Sequence, residues 1–331
     1  MLSRATTIRA IARPRVHVGL IDLGDASPRA YCGVGFSVGG ISTTWSVSRA
    51  AQTRLIQTER LDTDARNDLE EITRQLSLRS LGLPFEAELE SAPQQHIGLG
   101  SKTTLCLCLI AAVNELNQLS LSQNEMQHIS GRAGASGVGA NLFFSGGVVW
   151  DGGHARRALA TYAPSSAQRP AAIPPLLSRW LFPQKWRIAL LLPLGVKANG
   201  AYEKAFFAQH TPLPKSEILE TMCVMYHGVV PGFALEDIGT LGDALQELHK
   251  FGFKKKELDG QSPATRSTLE LLHTSREICS GMSSMGPLLY SIFDAGNKGA
   301  EKFIRQACIA RDADFLGVFE GWNTAHEVRC E

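Results

Sequence analysis

A chain of 331 residues is too long for one small core and divides best into two domains. Its 33 lysines and arginines nearly cancel 32 acids, for a net charge of +1, and 44% of residues are hydrophobic, which is ordinary for a soluble globular protein and argues against a nucleic-acid surface. The longest apolar runs, 105–113 and 188–192, are far too short to span a membrane, so neither nucleic acid nor a membrane is expected as a partner.

Residues 1–15 contain arginines and no acids, a weak transit-peptide signature. However, Ile8, Ala10 and Ala12 alternate with Arg9 and Arg13, which predicts a first β-strand running to Leu23 and ending in the polar turn 24–27. Residues 33–38 and 41–48 alternate around Gly39-Gly40 and read as a hairpin. A short strand follows at 54–58. Asp62 is placed to cap a helix to about Leu81, with Leu69, Ile72 and Leu76 as its buried stripe. A strand at 85–89 then delivers the chain to Gly98 and Gly100, a tight turn. From Lys102 onward Leu105, Leu109, Val113 and Leu116 recur at helical spacing.

Ser122 and Glu125 form a capping box that opens a helix to about Ser130. A second glycine-rich loop covers 131–139, a strand is predicted over 142–150, and Asp151-Gly-Gly-His154 follows. Pro164, Pro170, Pro174 and Pro175 among small residues mark 163–175 as the linker. Beyond it a buried strand is predicted at 187–192, with helices at 202–209, 215–227, 235–250 and 262–280. The triplet Lys254, Lys255 and Lys256 reads as a solvated helix end. A third glycine-bracketed turn, 281–287, leads into an apolar run at 288–293, a helix near 298–310 and a strand near 315–319. Strands and helices mix without regular βαβ alternation, so the fold class is α+β. Seven scattered cysteines, with no signal peptide or framework spacing, read as reduced thiols in a cytoplasmic protein.

The loop at 98–100 feeds the start of a buried helix. Unpaired N–H groups and the positive end of the helix dipole attract anions there, and glycines let a phosphate approach the backbone. The Walker A spacing is absent, and an ordinary loop–helix junction with a Ser101 cap is the plain alternative.

Five segments in order resemble the β-ribofuranosylaminobenzene 5′-phosphate synthases, a branch of the GHMP superfamily that does not phosphorylate. They are Arg13 to Leu23, Gly98 to Thr104, Gly131 to Gly139 with Gly146-Gly147 and 151–154, Pro174 to Arg187, and Gly281 to Pro287. The branch usually carries GLGSGTQ in the second segment; here Lys102 and Thr104 replace its Gly and Gln. The resemblance implies a two-domain GHMP fold: a ribosomal-protein-like domain over 1–170 and a ferredoxin-like domain over 176–331, with the ligand between them. It also implies decarboxylative C-glycosylation. C1 of phosphoribosyl pyrophosphate is attacked by the carboxylate-bearing carbon of an aromatic or heteroaromatic acid, and carbon dioxide and pyrophosphate leave. Mg²⁺ is the implied cofactor and a homodimer the implied assembly.

On that reading Gly98, Gly100, Ser101, Lys102, Thr103 and Thr104 take the pyrophosphate. Arg132, Gly134, Ser136 and Gly137 take the 5′-phosphate, and Ser283 and Ser284 contribute from the third motif. Asp22 and Asp151 become metal or ribose ligands, Arg15, His17 and Lys102 the cations for the acid's carboxylate, and His154 an acid, base or pyrophosphate contact. Each has a plainer reading. Arg15 and His17 could face solvent on a strand, Asp151 could belong to a turn, His154 could be structural, and Glu203, which matches a family Glu after the buried strand, could merely favour a helix start.

Superfamily kinases usually place an Asp base where this chain has Gly139. That lowers an ATP-dependent small-molecule kinase to second place, with a non-catalytic ligand-binding regulator as the reading from another class. Lys102 sits in the first helical turn, where a cation costs about 0.3–1 kcal/mol against the dipole. It therefore calls for an anion: the pyrophosphate, the acid's carboxylate, or the extra carboxylate of a heteroaromatic acid in a C-nucleoside pathway.

Overall fold

The computed structural model describes residues 7–79, 83–132, 134–165, 167 and 172–331. The predicted first strand is two, β1 (Thr7–Ala12) and β2 (Arg15–Asp22), which lie in different sheets. Pro14, which has no N–H to give a ladder, makes the break. The expected hairpin at Gly39-Gly40 is a second break of the same kind. β3 (Arg29–Ser37) pairs with β2, and β4 (Thr43–Arg49) pairs with β1. Both corners meet, Val38 N donating to the Pro14 carbonyl at 3.0 Å. Gly40, at φ 74°, lets the chain turn over the Phe319 ring. Local sequence announces the bend, but the hydrogen-bond partners on either side of it are set by the fold.

β5 (Arg54–Ile56) and β6 (Phe85–Ser91) complete one side of the first sheet, and its far edge is β14 (Glu327–Cys330), giving the order β14-β1-β4-β6-β5. α1 (Thr63–Arg79) starts at Asp62, whose Oδ1 accepts from Ala65 N at 2.7 Å, and buries Leu69, Ile72 and Leu76. α2 (Ser101–Asn117) is buried along most of its length, with Trp45 Nε1 donating to the Leu105 carbonyl at 3.1 Å. α3 (Gln123–Ser130) carries the capping box at Ser122. The strand predicted from 142 begins later. Val138–Ser145 is helix α4, burying Val138 and Leu142 one turn apart, and only Val148–Asp151 is strand, β7.

The second sheet runs β2-β3-β7-β9, with β8 (His154–Ala155) against β3 and β9 (Leu176–Trp180) on the edge. Both of these sheets thus take a strand from beyond the proline-rich stretch, part of which lies outside the described residues.

The third sheet has the order β11-β12-β10-β13, from Ile278–Met282, Leu289–Asp294, Trp186–Pro193 and Ala313–Phe319. The helices of this part are α5 (Gly200–His210), α6 (Lys215–Val224), α7 (Val230–Ala234), α8 (Ile238–Leu248), α9 (Gly252–Asp259), α10 (Pro263–Leu272) and α11 (Lys298–Ala310); α8, α10 and α11 pack on the third sheet, α6 and α9 against β2. The helix expected over 262–280 stops at Leu272, because 278–282 is the buried strand β11. α9 is a helix of its own, where the sequence pattern predicts only a helix end. Its Lys254 is 1% exposed rather than solvated, paired with Glu257 at 2.5 Å. Phe36 of β3 meets the rings of Phe182, Phe233 and Tyr290, so the second and third sheets share one core.

No helix among the described residues is long and apolar enough to cross a membrane.

Candidate functional site

The three glycine-rich segments converge on one cavity. β2 supplies Arg15 and His17; the turn into α2 supplies Gly98, Gly100, Ser101, Lys102 and Thr103. Arg132, Ser136 and Gly139 come from the second loop, and Ser284, Met285 and Gly286 from the turn between β11 and β12.

The first loop is held from two sides. Arg15 Nη1 donates to the Gly98 carbonyl at 2.6 Å, and Ser283 Oγ donates to the same oxygen at 2.7 Å. Ser283 Oγ in turn accepts from His17 N at 3.0 Å, and Ser284 N donates to the His17 carbonyl at 2.9 Å. Gly98 (φ 110°) has the Ser283 carbonyl 2.5 Å from where a Cβ would stand, so a side chain has no room. Gly100 (φ 65°) caps α2, and a Cβ there would lie 2.9 Å from Arg15 Nε. Close approach and left-handed backbone both require glycine.

Arg15 is buried. Burial brings its guanidinium down to about 10, Glu203 opposes that shift, and Arg132 adds to it. Burial also pushes His17 well below its ordinary value, helped by Arg15 and Lys254, so its ring is neutral. Its Nε2 lies 3.0 Å from Ser136 Oγ, which donates to Asp151 Oδ2 at 3.1 Å. Asp151 Oδ1 accepts from Gly153 N at 2.7 Å. Burial raises Asp151 to about 6 against hydrogen bonds from Gly153, Ser136, Gly137 and Val138 that lower it.

Lys102 has anions within the chain, Asp62 at 3.8 Å and Asp64 at 3.7 Å. The partner that its place in the first helical turn demands is therefore supplied by the protein. His96, beside it in the wall, contacts Asp62 Oδ2 through Nε2 at 2.6 Å and the Ala198 carbonyl through Nδ1 at 2.8 Å.

Other predicted residues stand behind the wall. Thr104 turns its hydroxyl to Thr43 Oγ1 and the Ser101 carbonyl, each at 3.0 Å. Gly134 and Gly137 are buried, and Gly137 is closed off by Pro174. Ser283 is fully buried and acts on the loop rather than on the cavity. His154 lies buried opposite Ala30, edge-on to the Tyr31 ring at 5.8 Å. Asp22 accepts from Gly24 N at 2.9 Å, and its second oxygen is buried with no hydrogen-bond partner among the described residues.

Asp22 and Asp151 do not fit a magnesium site. Neither reaches the cavity wall, Asp151 spends both oxygens on donors, and no group of three His, Cys, Asp or Glu suited to a metal occurs among the described residues.

Among the titratable residues of the wall, Glu203, Glu257 and His96 are the three that sequence reasoning left out of the site. Glu203 was visible as a residue after the buried strand. Glu257, hidden next to a lysine triplet, gave no signal.

The GHMP kinases N terminal domain family matches residues 67–146. A beta-ribofuranosylphenol 5′-phosphate synthase from Archaeoglobus fulgidus is 30% identical over 291 residues, covering 88% of this chain and 89% of its own. One from Methanothermobacter thermautotrophicus is 29% identical, covering 85% and 87%. Among solved structures, a homoserine kinase from Cytophaga hutchinsonii superposes with a TM-score of 0.68 at 15% identity, covering 99% of each chain. Phosphomevalonate kinase from Streptococcus pneumoniae gives 0.70 at 11%, covering 96% of this chain and all of that one. These kinases establish the fold, and the relatives establish the lineage: the chain belongs to the beta-ribofuranosylphenol 5′-phosphate synthase family, built on the fold of the GHMP kinases.

Proposed function

We propose that this protein joins C1 of phosphoribosyl pyrophosphate to the carboxylate-bearing carbon of an aromatic acid, releasing pyrophosphate and carbon dioxide. The ring carbon attacks C1 as the C1–O bond to pyrophosphate breaks. The bond from ring to carboxylate then breaks, its electrons return to the ring, and carbon dioxide leaves. The attacking ring carbon loses carbon dioxide rather than a proton. The observation that carries this reading is the cavity wall at Gly139, where superfamily kinases place a carboxylate base. Within this family, a wall lacking that base suits a reaction that needs none.

Charge grows on the leaving pyrophosphate, and the N–H groups at the start of α2, with Lys102, lie where it would be met. Arg15 and Arg132 face the same space and offer the second anion site. Mg²⁺, if required, would be carried largely by the pyrophosphate's own oxygens. With Lys102 already matched by Asp62 and Asp64, a benzoate-type monocarboxylate is the simpler acceptor, and a second acceptor carboxylate is not called for.

Incubation with phosphoribosyl pyrophosphate, Mg²⁺ and a panel of hydroxy-, amino- and heteroaromatic acids should release pyrophosphate and carbon dioxide in equal amounts with one of them. Phosphoryl transfer from ATP, with phosphoribosyl pyrophosphate neither bound nor consumed, would overturn the reading.

A further inference from the structure

His17 is the wall residue whose chemistry depends most on a detail of hydrogen placement. Its ring is buried and neutral, so one nitrogen carries a proton and the other a lone pair. Nε2 is committed to Ser136 Oγ at 3.0 Å, which leaves Nδ1 as the nitrogen available to a ligand.

Counting donors and acceptors at Ser136 assigns the proton. Its oxygen accepts from Val138 N at 3.2 Å and has one hydrogen to give. Two neighbours remain, Asp151 Oδ2 at 3.1 Å and His17 Nε2. A carboxylate cannot donate, so the serine hydrogen goes to Asp151. Ser136 then has only a lone pair for His17, and Nε2 must carry the proton. Nδ1 is left bare. Arg29 and Cys32 lie on β3 beside Asp151 and Asp22 one strand further, on β2, while Arg15 and Lys254 face His17; none of them makes a hydrogen bond to the His17 ring.

We propose that Asp151 is a positioning residue which, acting through Ser136, holds His17 as the Nε2–H tautomer so that Nδ1 accepts a hydrogen bond from a ring hydroxyl or N–H of the acceptor acid. Apart from Glu203 and Glu257, the latter paired with Lys254, the charged members of the wall are donors: Arg15, Arg132 and Lys102, with the backbone amides of α2 beside them. An acceptor facing the acid would select rings that bear a hydrogen-bond donor over those that do not. The part concerning the ligand rests on the proposed synthase activity, whereas the tautomer does not.

The chain of three predicts a specific reversal. In Asp151→Asn the amide oxygen can keep the Gly153 N–H, which turns the NH₂ group toward Ser136. The serine must then donate to His17, and Nδ1 gains the proton. Long-range ¹⁵N–¹H correlation on labelled protein, with His17 identified by its loss in His17→Gln, reads this directly. Wild type should show a bare Nδ1 and a protonated Nε2, and Asp151→Asn the opposite. Ser136→Ala, which keeps Asp151 but cuts the link, should show a mixture; it carries the same test should Asp151→Asn fail to fold.

With phosphoribosyl pyrophosphate and a hydroxybenzoate, Asp151→Asn should raise the acid's KM roughly tenfold or more, the cost of a mismatched buried hydrogen bond, while the Kd of the phosphoribosyl donor stays within about twofold. A wild-type His17 protonated on Nδ1, or a tautomer unchanged in Asp151→Asn, would overturn the proposal. So would an equal loss of donor affinity, which would make Asp151 an anchor of the 131–139 loop. If no acid is turned over at all, the tautomer measurement still stands and it is the synthase reading that fails.

Discussion

Gly100 is the residue with least room for change. A methyl group there must sit 2.9 Å from Arg15 Nε on a backbone at φ 65°, where a non-glycine residue costs about 1–2 kcal/mol. Gly100→Ala should therefore lower stability by about that amount, measured in urea. It should also weaken donor binding more than tenfold by calorimetry, because Arg15 is displaced with the loop. Full affinity in this variant would mean the turn merely starts a helix. Lys102 is a milder case. Its two ion pairs are long, at 3.7 and 3.8 Å, and Asp64 is well exposed, so they contribute little to folding. Lys102→Met should leave the melting temperature nearly unchanged but weaken donor binding by roughly 1.5 kcal/mol, the lower end for a charge-assisted contact. An unaltered donor Kd would confine Lys102 to its aspartates.

Among the elements, α9 carries the strongest hidden contact. Lys254 Nζ donates to the carbonyls of Met282 at 3.2 Å and Ser284 at 2.9 Å while pairing with Glu257, so one buried ammonium ties α9 to the turn that closes the cavity. Lys254→Met would leave Glu257 buried without its cation and should cost roughly 3–5 kcal/mol. Adding Glu257→Gln should recover much of that in the double variant, and a single variant as stable as wild type would show the pair to be dispensable. None of this could be read in the sequence, where a lysine triplet looks solvated and its carbonyl partners lie about thirty residues away. Signals contained within one element were legible: the Asp62 cap, the stripe of Leu69, Ile72 and Leu76, the Ser122 capping box and α11. Signals that depend on a partner were not. Gly39-Gly40 marks a bend, yet only the assembled sheets decide that β3 and β4 part company there. The site divides in the same way. The glycine loops and Arg15, His17, Lys102 and Arg132 could be named from motifs, whereas Asp151 and Ser283 turn out to act through other residues, and Glu257 enters from an unmarked helix.

For the whole molecule, buried histidines set the response to acid. His249 donates through Nδ1 to the Leu245 carbonyl at 2.5 Å and accepts from Met282 N at 3.3 Å, and burial lowers it to about 3. His17 is displaced in the same direction. The unfolded chain binds these protons first, so the stability they permit is whole above pH 6.5 and is lost as pH falls toward 3. Urea midpoints should drop steadily between pH 7 and 4, less steeply in His249→Gln; parallel slopes would remove His249 from the account. The lacing of the 98–100 loop has a kinetic counterpart. Gly98 is gripped by Arg15 and Ser283, 83 and 185 positions distant in the chain, so the conformation of this loop exists only while β2 and the β11–β12 turn stay docked. If the loop holds the pyrophosphate as proposed, escape of that anion and momentary detachment of the turn become one event on one clock. The amides of Ser283 and Ser284, sealed against the carbonyls of Leu288 and His17, should then exchange with deuterium more slowly as phosphoribosyl pyrophosphate fills the cavity, in step with its own dissociation.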